Sequence, residues 1–117
     1  MHEHNTSAAK CLIVDDNLIN LLALEGMLKR LHFRTATATN GKIAVDIYDE
    51  SYSIVFMDIN MPVMDGIEAI KRIRKIEEAN KLRGCTIVVV SAQSENIIKE
   101  DLSPLMIHSW CILIISN

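Results

Sequence analysis

Short apolar runs suited to buried strands alternate along this chain with stretches in which apolar residues repeat at helical spacing, and no pattern in the sequence constrains the fold more. Cys11 to Val14 reads as a first strand. Leu18, Leu21, Leu22, Leu28 and Leu31 then recur at helical spacing behind a candidate cap, Asn17. Phe33 to Thr39 reads as a second strand, closed by the Asn40-Gly41 turn signal before a helical stretch from Lys42 to Tyr48. Ile54 to Met57 is a third strand, and Ile67, Ile70, Ile73 and Ile76 mark one face of a third helix. Thr86 to Val90 is continuous and β-branched, as a central buried strand should be. The order βαβαβαβ predicts an α/β fold with a doubly wound parallel sheet. Beyond it, Asn96 to Asp101 is expected to form a short helix broken by Pro104, and Trp110 to Ile115 a fifth strand.

A chain of 117 residues holds one compact core. The expected division is a flexible N-terminus over 1–9, a core over 10–101 and a tail over 102–117 that carries the fifth strand. A net charge of −3, with Lys71, Arg72, Arg74 and Lys75 as the densest basic group, argues against nucleic acid. The apolar stretch from Leu105 to Ile115 contains His108 and falls short of the roughly 17 to 25 residues that a membrane span needs. Met1 to Lys10 is polar and lacks the apolar core of a secretory signal, so a cytoplasmic, reducing location is expected. Cys11, Cys85 and Cys111 are then reduced core thiols, while His2 and His4 sit on the flexible terminus.

In a doubly wound sheet, ligands gather at the carboxyl ends of the strands. The first strand stops at Asp15-Asp16, the third at Asp58 and the fourth at Ser91, so three carboxylates and a hydroxyl should converge. At about 4 Å and an effective dielectric near 20, each pair of carboxylates repels by about 4 kcal/mol, a conflict that a divalent cation removes. Mg²⁺ suits such a site, because a hard ion takes carboxylate and carbonyl oxygens and keeps positions open for phosphate.

The motifs Leu-Ile-Val-Asp-Asp-Asn at 12–17 with Asn20 behind them, Ala-Thr-Asn-Gly at 38–41 and Met-Asp-Ile-Asn-Met-Pro-Val-Met-Asp-Gly at 57–66 give the chain a family likeness. From about Lys10 to Ser94 it resembles the receiver domains of response regulators, typified by the bacterial chemotaxis regulator and by the receivers of hybrid histidine kinases. The resemblance implies a flavodoxin-like fold of five strands, with Asp58 as phosphoacceptor. It further implies Mg²⁺ held by Asp15, Asp16, Asp58 and the backbone carbonyl of Asn60, with Ser91 as a switch hydroxyl. Asn60 and Gln93 would flank the attacking water, and Met61, Pro62 and the Asp65-Gly66 pair would shape the loop after the third strand. The implied partner is a histidine kinase or a histidine phosphotransfer protein, and the implied role is a signalling phosphoacceptor, not an enzyme.

The tail departs from the family. Receivers carry a Lys followed by Pro at the end of the fifth strand, and no Lys follows Lys99 here. A last helix is expected to be missing, as after a truncation, an alternative splice end or a frameshift. Trp110 could stand in for the family's aromatic switch residue or simply pack the core. Three readings therefore stand: an active receiver, a receiver-like interaction module that switches poorly, and a Mg²⁺-dependent phosphatase of the haloacid-dehalogenase kind. The last uses an Asp two residues before a second Asp at its first strand, whereas Asp15 and Asp16 are adjacent and the candidate nucleophile, Asp58, lies on the third strand.

Overall fold

The computed structural model describes residues 9–59, 61, 63–91 and 110–114. They form β1 (Lys10–Val14), α1 (Leu18–Arg30), β2 (Arg34–Ala38), α2 (Gly41–Ile47), β3 (Tyr52–Asp58), α3 (Gly66–Asn80), β4 (Thr86–Ser91) and β5 (Trp110–Ile114). The helix expected over Asn96 to Asp101 lies outside the described residues. So do residues 1–8 of the terminus expected to be flexible over 1–9, and the expected absence of a last helix falls beyond them too. Local chemistry sets the helix starts: the side chains of Asn17, Asn40 and Asp65 accept from the amides of Asn20, Ile43 and Glu68 at 3.1, 2.8 and 2.9 Å. Each such cap stabilises its helix by about 1 kcal/mol.

The five strands pair in parallel in the order β2-β1-β3-β4-β5. From β1 the chain first adds β2 on one side and then β3 on the other, which opens a crevice at the carboxyl ends of β1 and β3. Alternation along the inner strands explains how the sheet is buried on both faces. Leu12, Val14, Val55, Met57, Ile87 and Val89 pack with Ala44 of α2 and with Ala69, Ile70 and Ile73 of α3. Cys11 and Ile13 pack on the opposite side with Leu21 and Leu28 of α1. Each fully buried Leu, Ile or Val contributes about 1.5 to 3 kcal/mol. Cys11 and Cys85 are buried free thiols, as expected.

Two features depart from the periodicity. Of the five leucines expected on one face, only Leu21 and Leu28 are buried, whereas Leu18, Leu22 and Leu31 are 60, 54 and 65% exposed. The buried stripe runs through Leu21, Leu24 and Leu28; Leu18 and Leu22 lie to one side of it, and Leu31 is the C-terminal cap. The second feature is a carboxylate on the apolar face of α3. Glu77 is buried, and its Oε2 accepts from the Tyr48 hydroxyl at 2.5 Å and the Cys85 amide at 2.9 Å. Arg74 Nη1 donates to Glu77 Oε1 at 2.8 Å and to the Cys85 carbonyl at 3.0 Å. Burial pushes the Glu77 carboxyl up, but the hydrogen bonds from Tyr48, Arg74 and the Cys85 amide outweigh it and hold it below the usual range. Burial also drives the Cys85 thiol up to about 11, so it stays protonated at neutral pH.

Candidate functional site

Sheet register brings the acidic residues together. Val14 of β1 pairs with Met57 of β3, so the next residues, Asp15 and Asp58, leave neighbouring strands side by side. Asp16 follows in the turn into α1. One carboxylate oxygen from each of Asp15, Asp16 and Asp58 lies within 4.8 Å of the others. Asp15 is buried, Asp58 half-buried and Asp16 exposed, so the cluster opens to solvent on the Asp16 side. Asp15 is oriented by the Asn17 amide, which donates to its Oδ1 at 2.8 Å, and its own amide donates to the Ala38 carbonyl at 3.1 Å.

The segment leaving β3 is held at both ends. The Ile59 amide donates to the Val90 carbonyl at 3.2 Å, and the Gly66 amide donates to the Ile59 carbonyl at 3.0 Å. Gly66 opens α3 directly against the Asp58 carbonyl, where a Cβ would collide with that oxygen and lie 2.8 Å from the Ile59 Cα. Only glycine allows α3 to begin so close to the acidic cluster. Met61 is buried in the core beneath this segment. Ser91 ends β4 opposite Ile114 of β5, one position beyond the Asp58↔Val90 pair, so its backbone stands at the same sheet end as the acidic cluster. Asn60, Pro62 and Gln93 lie outside the described residues, as does the Ser91 side chain.

Three carboxylates at this spacing form an all-oxygen donor set, which fits a small hard cation and excludes the sulfur and imidazole sets of structural zinc. Sequence reasoning found the trio but missed Gly41. A Cβ on this first residue of α2 would lie 2.5 Å from the Met64 carbonyl oxygen, in the segment between Asp58 and α3. Asn40-Gly41 signals a turn, and nothing in that signal shows that the turn abuts the acidic end of the sheet.

A family model of the response regulator receiver domain matches residues 11–105. The chain belongs to this family. It is 35% identical over 106 residues to the response regulator SSK1 of Arthrobotrys oligospora, an alignment covering 90% of this chain and 10% of that protein. The chain thus spans a small part of that relative's length. The receiver domain of Ssk1 from Saccharomyces cerevisiae, solved with the histidine phosphotransfer signaling protein Ypd1, superposes with a TM-score of 0.79 at 30% identity. The match covers 90% of this chain and 78% of that one. The receiver domain of the histidine kinase CKI1 from Arabidopsis thaliana, complexed with Mg²⁺, gives a TM-score of 0.75 at 26% identity, covering 89% of this chain and 82% of that one. Among the described residues, no helix is long and apolar enough to cross a membrane.

Proposed function

We propose that this chain is a phosphoacceptor: Asp58 takes a phosphoryl group from a phosphohistidine on a partner, with Mg²⁺ held by Asp15, Asp16, Asp58 and the Asn60 carbonyl. The observation that carries the reading is the carboxylate trio at the switch point of the sheet. A bound Mg²⁺ would neutralise charge on the phosphoryl oxygens during transfer. The chain's own residues do the rest. An Asp58 carboxylate oxygen forms the new bond to phosphorus as the bond from phosphorus to the partner's imidazole nitrogen breaks. Gly66 and the Ile59 carbonyl fix the backbone from which Asp58 projects. Asn60 and Gln93 would flank the hydrolytic water and Ser91 would turn towards the new phosphoryl group; the proposed role is that of a signalling phosphoacceptor with at most slow self-dephosphorylation.

The partner is a histidine kinase or a histidine phosphotransfer protein. The Saccharomyces cerevisiae receiver solved with Ypd1 supports this class, as does the surface beside the acidic trio. Leu18 and Leu22, with Ile19 at 79% exposure, begin α1 immediately after Asp15, Asp16 and Asn17. An apolar patch bordering an acidic site is suited to dock a helical partner that presents a histidine.

A second reading draws on the end of β5. Ile115, Ser116 and Asn117 follow Ile114, and none can supply a cation to the phosphorylated site. A charge-assisted contact there would contribute about 1.5 to 3 kcal/mol, so transfer can survive while coupling of the phosphorylated state to partner surfaces is weakened.

Asp16→Ala tests the cation site. Mg²⁺ binding by calorimetry is expected in the parent chain and lost in the variant; equal affinity in the two would refute the site.

A further inference from the structure

We propose that Gly41 is a positioning residue for the acidic trio: its bare Cα lets the first turn of α2 bear on the segment between Asp58 and α3 and so fixes where Asp58 sits. This rests on the reading of Asp15, Asp16 and Asp58 as a cation site. Gly41 is buried. A Cβ added there would meet the Met64 carbonyl oxygen at 2.5 Å, the Met64 Cγ at 3.1 Å and the Ala69 Cβ at 3.1 Å. The carbonyl is backbone and cannot swing aside, so the segment itself must move by nearly an ångström to restore ordinary contact.

Neighbouring contacts would carry that movement to the site. Met64 lies two residues before Gly66, whose amide donates to the Ile59 carbonyl and which leaves no room for a Cβ beside the Asp58 carbonyl. On the far side, Ala69 is fully buried on α3, so the helix cannot simply retreat. The Asn40 side chain anchors the start of α2 by accepting from the Ile43 amide at 2.8 Å, and Ala44 is buried in the core one turn later. Both walls are therefore stiff, and the segment between them is what yields. Gly26 supplies the control. It also lies in a helix, yet a Cβ there would meet nothing nearer than Arg30 Nη2 at 4.0 Å.

The test compares the parent chain, Gly41→Ala, Gly26→Ala and the double variant Gly41→Ala with Met64→Gly. Two readouts are used: Mg²⁺ affinity by calorimetry, and exchange of the Gly66 amide without metal by NMR. Gly41→Ala is expected to weaken Mg²⁺ binding by about tenfold or more, the usual effect of disturbing a residue behind the ligands. It should also speed Gly66 exchange by at least about tenfold. Gly26→Ala should change neither, and Met64→Gly should recover affinity by letting the carbonyl turn away. Unchanged exchange and affinity in Gly41→Ala would overturn the assignment, as would failure of the double variant to recover. Loss of the fold in both Gly41 variants would make Gly41 a requirement of folding and overturn it equally. A parent chain that binds no Mg²⁺ would instead refute the proposed function, and Gly66 exchange would still decide the role of Gly41.

Discussion

Glu77 shows how a charged residue can occupy the apolar face of a helix. It stands four residues after Ile73 and seven after Ile70, on the stripe that those isoleucines define, and its polar partners converge from the end of α2, from α3 and from the start of β4. Helical spacing reveals the stripe but not the partners, because Tyr48 and Cys85 are distant in sequence. Removing the carboxylate would take from the Tyr48 hydroxyl and the half-buried Arg74 the acceptor they share, leaving Arg74 the Cys85 carbonyl, so Glu77→Ala should cost about 3 to 5 kcal/mol. The carboxyl titrates below its ordinary value of 4.5 in the folded state. Its contribution is therefore complete above that value and is lost as pH falls through the lower, folded one. Urea unfolding at neutral pH and near pH 4 checks both statements: Glu77→Gln should flatten the acid dependence, and a loss under about 1 kcal/mol in Glu77→Ala would contradict the network's role.

Elements differ in how far their environment can be read from spacing. In α3 the expected face holds: Ile70 and Ile73 are fully buried, and Ile67 and Ile76 pack against the same core. In α1 it does not, because the apolar residues spread too far around the helix for a single stripe to bury them all. The excess, Leu18, Ile19 and Leu22, is concentrated in the turns next to Asp16. If these residues serve a partner and not the core, Ile19→Glu should leave folding stability within about 0.5 kcal/mol. It should also weaken binding to a histidine phosphotransfer protein by at least about 1 kcal/mol. Paired urea unfolding and calorimetry separate the two effects. A large loss of stability with unchanged binding would mean that α1 exposes these residues for no docking purpose.

For the molecule as a whole, alternation of strand and helix was legible because β1 is buried on both faces, while β3 and β4 bury one face and half-bury the other, so all three are largely apolar. Strand limits were less so. Lys10 extends β1 backwards, and Tyr52 and Ser53 extend β3, although Lys10 and Ser53 carry little strand signal: Lys10 is recruited by pairing with Arg34 and Tyr52, and Ser53 is the extra residue where the register shifts. The acidic trio could be anticipated because strand ends in such a sheet share one end, whereas the abutment of Gly41 on Met64 depends on how the start of α2 meets the segment before α3 and leaves no mark on either. β5, expected over Trp110 to Ile115, runs from Trp110 to Ile114 and pairs with β4. The central claim is that this architecture makes Asp58 the phosphoacceptor. Incubating the chain with acetyl phosphate and Mg²⁺ and reading its intact mass tests this most directly. The account predicts the gain of one phosphoryl group, absent without Mg²⁺ and absent in Asp58→Asn; no gain in the parent chain, or an equal gain in Asp58→Asn, would contradict it.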